Sequence, residues 1–498
     1  MPDKDTFGYD VLILGGGVAG CVLASRLSED SGRSVCLVEA GPDYGPAQLT
    51  WPKNMLDARV LPRDDVWETD SEPYRIRAKA LGGSSCINGC WHTWGFESDC
   101  MEWVRAGGGD WSESALEPFR RTAAHQMLLR AIPDTELSVW SSSALAAAAE
   151  LGYPEIADMS VPSRGTGAGC PPINAIGDFR WNVSFAYLDP VVRSRSNLRI
   201  LGHTTVNRLV IREGGVRGVR AVVGGEQVTL TADSYVLAAG AYGSPAVLLR
   251  SGVGPAAHLA EVGVRTEVDL PGVGANLVDH PCLVLPLTPT PALNAALAEK
   301  EAVGELYASQ VAIRAASEFC EHGAWDLHLL PTAGPPLFGT LPPGQYEVGI
   351  AAFLMKPASR GRLRLRSAET SVPVDIDPAL FTDPDGRDLA VGRHSLALAA
   401  ELAATTALKS WASPVDTTDP REVSDADLRA RAGTYWHPVG TCAMGAADDP
   451  QAVVDGFGMV RGISNLRVID ASILPTIPRA NTQLPVLTVA EMLAAKLG

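Results

Sequence analysis

The stretch that decides the fold is Tyr9-Asp10-Val11-Leu12-Ile13-Leu14-Gly15-Gly16-Gly17-Val18-Ala19-Gly20. Its apolar run Tyr9 to Leu14 is followed by glycines, then by an amphipathic stretch from Ala19 to Ser28 and a second apolar run, Val35 to Val38. That succession reads as strand, turn, helix, strand. The glycines fall at the three positions of a dinucleotide fingerprint. Gly15 permits the tight turn, Gly17 lets the backbone approach a pyrophosphate at the helix N-terminus, and Gly20 allows close packing of helix on strand. At the end of the second strand Glu39 offers a carboxylate to a ribose diol, which suits an adenosine without a 2'-phosphate. The competing reading, a glycine-rich turn with no ligand, is disfavoured by the strand before it and the helix after it. The fingerprint alone does not distinguish NAD from FAD.

Working outward, 498 residues with 46% hydrophobic content are enough for two or three domain-sized units. A net charge of -16 repels phosphate backbones and anionic lipid, which argues against nucleic acid and membrane surfaces as partners. The 9 cysteines are scattered without a C-x-x-C pair. Cys86, Cys90 and His92 lie close together but lack a second ligand pair at zinc-site spacing, so no metal is expected. Met1 to Gly8 is polar and mixed in charge, without signal-peptide architecture. The uncharged stretch Cys282 to Ala298 is broken by Pro286, Pro289 and Pro291, unlike a membrane helix. A soluble, cytoplasmic protein with reduced thiols is expected, with no membrane insertion.

Between Thr205 and Gly240, three β-rich runs are separated by Gly214-Gly215 and Gly224-Gly225 and end in a buried-looking strand, Tyr235 to Ala239. They read as an antiparallel meander feeding back into the main sheet. From about Leu283 to Ala430 the character changes to proline-rich connections, alternating strands such as Arg362 to Leu365, and a helical segment around Leu389 to Thr406. This reads as a second domain inserted into the first.

Five further segments carry a resemblance. They are Arg77 to Gly89 (RAKALGGSSCING), Gly240 to Gly254 (GAYGSPAVLLRSGVG), Leu270 to Pro281 (LPGVGANLVDHP), His437 to Gly445 (HPVGTCAMG) and Val468 to Ser472 (VIDAS). In this order, and with the N-terminal fingerprint, the chain resembles the glucose-methanol-choline (GMC) family of FAD oxidoreductases over nearly its whole length. The resemblance implies an α/β fold: a doubly wound FAD-binding domain assembled from residues 1–113, 195–281 and 433–498. An α+β substrate domain, an antiparallel sheet backed by helices, would occupy 282–432, with 114–194 as a lid or connecting region.

It also implies roles. Gly82 and Gly83 let a loop pass close to the flavin, and the Asn88 amide can hydrogen-bond the ring edge. Ile87 stands where choline oxidases place a flavin-linked histidine, so a noncovalent FAD is expected. Val206 resembles the position whose backbone meets the adenine, as against an ordinary strand valine. Asp470 matches the aspartate region near the ribityl-pyrophosphate, as against a helix or turn cap. The tail from Ala480, with Thr482 counted among the cofactor-facing residues, leads into a helix whose N-terminus can stabilise negative charge on the reduced flavin.

Histidine is the natural base for alcohol oxidation, and His437 lies in the block where the family carries its active-site histidine. Asn481 matches the second position, filled by histidine or asparagine in different members. The implied mechanism has both side chains holding a hydroxyl, His437 taking its proton and the carbinol hydride passing to flavin N5. Primary alcohols, sugars and aromatic alcohols all fit as substrates, and oxygen or another acceptor would reoxidise the flavin. The rival is a non-redox lyase-type enzyme on the same scaffold. His280 is expected to be structural. Trp91, His92 and Trp94 have two readings, substrate entrance or core between the domains.

Overall fold

A computed structural model describes residues 8–62, 65–67, 76–162, 165–336, 340–416 and 418–497. Of the polar stretch Met1 to Gly8, residues Met1 to Phe7 lie outside the described residues. Strand Gly8–Leu14 is central to a seven-stranded sheet. Parallel to it run Val35–Val38 and then Leu198–Leu201 on one side, and Glu226–Leu237 and then Leu466–Val468 on the other. Gly15 turns the chain with φ +117°, and the helix Val18–Leu27 begins at once. A Cβ on Gly20 would stand 1.9 Å from the Gly15 carbonyl oxygen, so the packing role assigned to this glycine is steric and absolute.

The strand Glu226–Leu237 belongs to two environments. Its first half pairs antiparallel with Gly215–Val223, which pairs in turn with Thr204–Arg212. Its second half enters the parallel sheet against Gly8–Leu14. Burial follows the change: exposed and half-buried residues dominate the outer half, while Tyr235, Val236 and Leu237 are wholly buried. A strand covered on both faces has no polar side to alternate with.

The C-terminal helix Gln483–Leu497 packs between Val18–Leu27 and Glu113–Gln126. Leu484, Leu487, Val489 and Leu493 enter the same core as Leu12, Val22 and Val236. Its buried Glu491 is held by Arg26, Nε and Nη2 donating at 2.8 and 2.9 Å, and by the Tyr187 hydroxyl at 2.9 Å. Three elements distant in sequence are thereby fixed around one carboxylate.

The second sheet is antiparallel. Its order is Ala412–Pro414, Pro281–Pro289, Glu347–Leu354, Leu327–Gly334, Ala312–Ala315 and Gly167–Gly169, with Gly433–Thr434 also paired to Pro281–Pro289. Helices Arg387–Ala403 and Val139–Glu150 back it. The helix expected from Leu389 starts earlier, because Asp383 accepts from the backbone N–H groups of Arg387 and Asp388.

Segments of the expected lid or connecting region 114–194 pack on both cores; within it Ser163 and Arg164 lie outside the described residues. Glu113–Gln126 packs on the C-terminal helix, whereas Val139–Glu150 and Gly167–Gly169 join the second sheet's layer. Gly167-Ala168-Gly169 has no β-branched or aromatic side chain, so it carries no strand signature. The hairpin Arg362–Arg364/Asp375–Asp377, expected in the second domain, packs against the helix Gly240–Arg250, and Leu363, Leu365 and Ile376 are buried in the first core. Among the described residues no helix is long and apolar enough to cross a membrane, and no cluster of metal-ligating residues occurs.

Candidate active site

At the nucleotide end, the helix Val18–Leu27 starts from Gly17 without a side-chain cap, leaving its first N–H groups for an anion. The loop carrying Gly82 and Gly83 lies directly over this turn, with the Gly82 N–H donating to the Gly16 carbonyl at 2.7 Å. A Cβ on Gly83, at φ +54°, would come 2.7 Å from the Gly17 Cα. A Cβ on Gly17 would meet nothing nearer than 4.0 Å, so the space over this glycine is reserved for something other than protein.

Glu39 accepts from the backbone N–H groups of Gly16 at 2.9 Å and Gly41 at 2.8 Å. Burial still pushes its carboxyl up to about 7, a cost that hydroxyl donors from a ribose would offset. The backbone N–H of Thr204 donates to the Glu39 carbonyl, which sets the meander strand bearing the half-buried Val206 beside the acid. Asp470 spends its oxygens within the protein: it accepts from Gly240 N–H at 2.8 Å, Ser244 Oγ at 2.6 Å and Ser472 N–H at 2.8 Å. The capping reading of Asp470 therefore describes its contacts, and the turn it caps joins the second motif to the last strand. Asn88 bonds through Nδ2 to Gln483 Oε1, and Gln483 Nε2 is buried without a partner, next to Thr482 at the start of the C-terminal helix. An uncapped helix N-terminus, a space held open over glycine, a buried acid and an orphaned amide fit a dinucleotide with a hydrogen-bonding ring.

At the other end, Asp279 organises two histidines. Its carboxylate accepts from the backbone N–H of His280 and of His437, both at 2.8 Å, and from the Thr434 hydroxyl. Trp436, at φ +60°, turns the chain so that His437 faces His280. The two rings are nearly perpendicular, 88° apart, with Nδ1 to Nδ1 3.0 Å. His280 Nε2 lies 3.1 Å from the Pro478 carbonyl oxygen, and His437 Nε2 lies 3.4 Å from Asn481 Nδ2. Tyr435 stacks on Phe353 at 3.7 Å and flanks His437 at 4.2 Å between centroids. Its hydroxyl is buried beside Asn481 without closing a hydrogen bond of ordinary geometry.

His437 is half-buried, and desolvation by the protein around it holds its pKa well below the ordinary histidine value, with His280, Arg77 and His328 adding to the effect. Burial pushes His280 down to about 3. Both imidazoles are neutral near pH 7.

His437 and Asn481 are thus brought together from positions 44 residues apart. His280, expected to be structural, touches His437 directly, and the aspartate of its D-H-P segment accepts from the backbone N–H of both histidines and from the Thr434 hydroxyl. Thr93 and Tyr435 carried no sequence signal at all. Trp91 and Trp94 resolve as core, with their indole N–H groups donating to the Ser309 carbonyl at 3.1 Å and to Glu113 at 2.9 Å. His92 is fully buried.

A dinucleotide cradle meeting a neutral histidine and an amide defines a flavin-dependent oxidoreductase acting on CH-OH groups, with FAD as its cofactor. The GMC oxidoreductase N-terminal pattern matches residues 9–282 and the C-terminal pattern residues 357–490. The chain belongs to the GMC oxidoreductase family. It is 32% identical to 5-(hydroxymethyl)furfural oxidase of Methylovorus sp. (strain MP688), covering 98% of each chain. It is 30% identical to choline oxidase of Arthrobacter globiformis, covering 98% of this chain and 93% of that one. Among solved structures, it matches pyridoxine 4-oxidase from Mesorbium loti with a TM-score of 0.84 at 27% identity, over 98% and 99% of the two chains.

Proposed function

We propose that this enzyme oxidises an alcohol to the carbonyl, with His437 as the base and Asn481 as the group that orients the hydroxyl. The observation that carries the proposal is the meeting of His437 Nε2 and Asn481 Nδ2 at 3.4 Å. A hydroxyl placed between them donates its proton to Nε2 and accepts a hydrogen bond from Nδ2. Bound FAD supplies the acceptor for the carbinol hydride. His437 takes the proton and the carbonyl product departs, so two electrons and one proton leave the alcohol together with the hydride's hydrogen. Phe353 and Tyr435 stack beside the site and give it an aromatic wall.

Relatives named for 5-(hydroxymethyl)furfural, choline and pyridoxine support a small primary alcohol, aromatic or polar, as substrate, with oxygen or another acceptor taking the electrons. We further propose that FAD is held noncovalently, since Ile87 occupies the loop position for a flavin-linked histidine and His92 is packed away. Nine unpaired thiols support a cytoplasmic enzyme. The test is the visible spectrum before and after anaerobic addition of primary, sugar and aromatic alcohols. Bleaching by one class supports alcohol oxidation and names the substrate, and readmitted air separates oxidase from dehydrogenase. Bound flavin that no alcohol bleaches overturns the proposal.

A further inference from the structure

We infer that His280 is a positioning residue that fixes which nitrogen of His437 is the base, through a hydrogen-bond chain whose direction is set at the Pro478 carbonyl. The inference rests on His437 being the base.

At one end is the Pro478 carbonyl, 3.1 Å from His280 Nε2. A carbonyl only accepts, so His280 carries its hydrogen on Nε2. Buried and neutral, His280 then has a bare lone pair on Nδ1. The facing Nδ1 of His437, 3.0 Å away, must donate to that lone pair. A neutral imidazole has one N–H, so His437 Nε2 is left bare and points to the substrate side.

The other end is consistent with this. Thr93 Oγ accepts from the Asn481 backbone N–H at 2.8 Å and donates its hydrogen to Asn481 Oδ1 at 2.9 Å. That assignment turns Nδ2 toward His437 Nε2. An amide NH2 only donates, so Nε2 is the acceptor. The opposite tautomer of His437 would set two bare lone pairs against each other between the histidine rings and two N–H groups against each other between His437 Nε2 and Asn481 Nδ2.

The same chain serves after proton uptake. Protonated at Nε2, His437 keeps its Nδ1–H aimed at the His280 lone pair in a charge-assisted bond, while the new Nε2–H is donated to the product oxygen rather than set against the Asn481 NH2. The charged and titratable groups around the pair are Arg77 and the neutral His328 beside His437, and Lys356 and Asp99 beside His280, with Asp279 on the backbone N–H of both. Lys356 and Asp99 are paired with each other at 2.9 Å, so the nearest titratable groups do not supply a competing acceptor for His437 Nδ1.

The experiment uses the flavin-loaded enzyme. Histidine-selective 15N NMR of the wild type, assigned with His437→Gln, is expected to show His437 protonated at Nδ1 and bare at Nε2. His280→Leu, which removes the acceptor, is expected to lower kcat about 100-fold with KM changed less than about threefold and flavin absorbance retained. The acid limb of its kcat/KM profile moves as well. His280→Asn, which restores an acceptor near the Nδ1 position, is expected to recover most of the loss. A hydrogen on His437 Nε2, or a His280→Leu enzyme with wild-type kcat and pH profile, overturns the inference. Full activity in His437→Gln would instead overturn the assignment of the base, which separates the two failures.

Discussion

Thr93 holds Asn481 at two points through one hydroxyl, accepting from its backbone N–H at 2.8 Å and donating to its side-chain oxygen at 2.9 Å. Both residues are buried, so water does not replace either bond. Thr93→Val keeps the shape and removes the hydroxyl, leaving the Asn481 amide free to turn its oxygen toward His437. A net hydrogen bond of this kind contributes about 1 kcal/mol or somewhat more. Steady-state kinetics are therefore expected to show kcat reduced about tenfold in Thr93→Val and largely kept in Thr93→Ser, with flavin content equal in all three proteins.

His437 is held below its ordinary pKa first by burial and then by the histidines and Arg77 around it. The base is therefore already neutral at pH 6.5, where a solvent-exposed histidine would be half protonated. The profile of kcat/KM is expected to be flat on the acid side down to below pH 6.5, with its limb lower still. Anaerobic flavin reduction followed by stopped flow from pH 5 to 8 checks this, and an acid limb centred at or above 6.5 would contradict the desolvation of the ring.

The fingerprint glycines separate into two kinds. A Cβ on Gly20 collides with the Gly15 carbonyl oxygen at 1.9 Å, whereas one on Gly17 finds nothing within less than 4.0 Å. Gly17→Ala is thus expected to give folded protein with a normal melting transition and strongly weakened FAD binding, because the methyl occupies the space reserved for pyrophosphate. Gly20→Ala is expected to fail at the level of folding and soluble yield. Flavin absorbance per mole of protein and circular dichroism distinguish the two outcomes.

Much of this was legible in the chain because local chemistry and position coincide at the motifs. Gly15 to Gly20 announce a strand, a turn and a helix by periodicity, and their context names the ligand class. The meander from Thr204 is equally plain, since paired glycines mark both of its turns. Legibility ends where contacts are made by residues with no local signature. Gly167–Gly169 becomes a strand because Ala312–Ala315 offers it an edge, which its own composition does not request. His280 sits in a recognisable turn, yet its function lies in the Pro478 carbonyl opposite, a contact 198 residues away along the chain. Thr93 is an ordinary threonine until Asn481 folds over it. Such pairs are set by tertiary placement, which motif order does not encode.

His92 gives a stability prediction that does not depend on turnover. It is wholly buried, neither ring nitrogen closes a hydrogen bond of ordinary geometry, and burial pushes its pKa down to about 4. In the unfolded chain the same ring titrates near 6.5. Above pH 6.5 both states hold the ring neutral and stability is unaffected. As pH falls from 6.5 toward 4 the unfolded chain takes up a proton that the folded protein refuses, so folding loses on the order of a few kcal/mol. Below about 4 the contribution levels off. Buried His280 adds a loss of the same sign over a range reaching to about 3. The melting temperature is accordingly expected to fall steeply between pH 6.5 and 4. His92→Phe preserves the ring's volume and removes two unpaired polar atoms, which is near neutral or stabilising at pH 7. In that variant the fall should shrink without vanishing, since His280 remains; a fall as steep as in the wild type would show that His92 is protonated or hydrated in the folded enzyme.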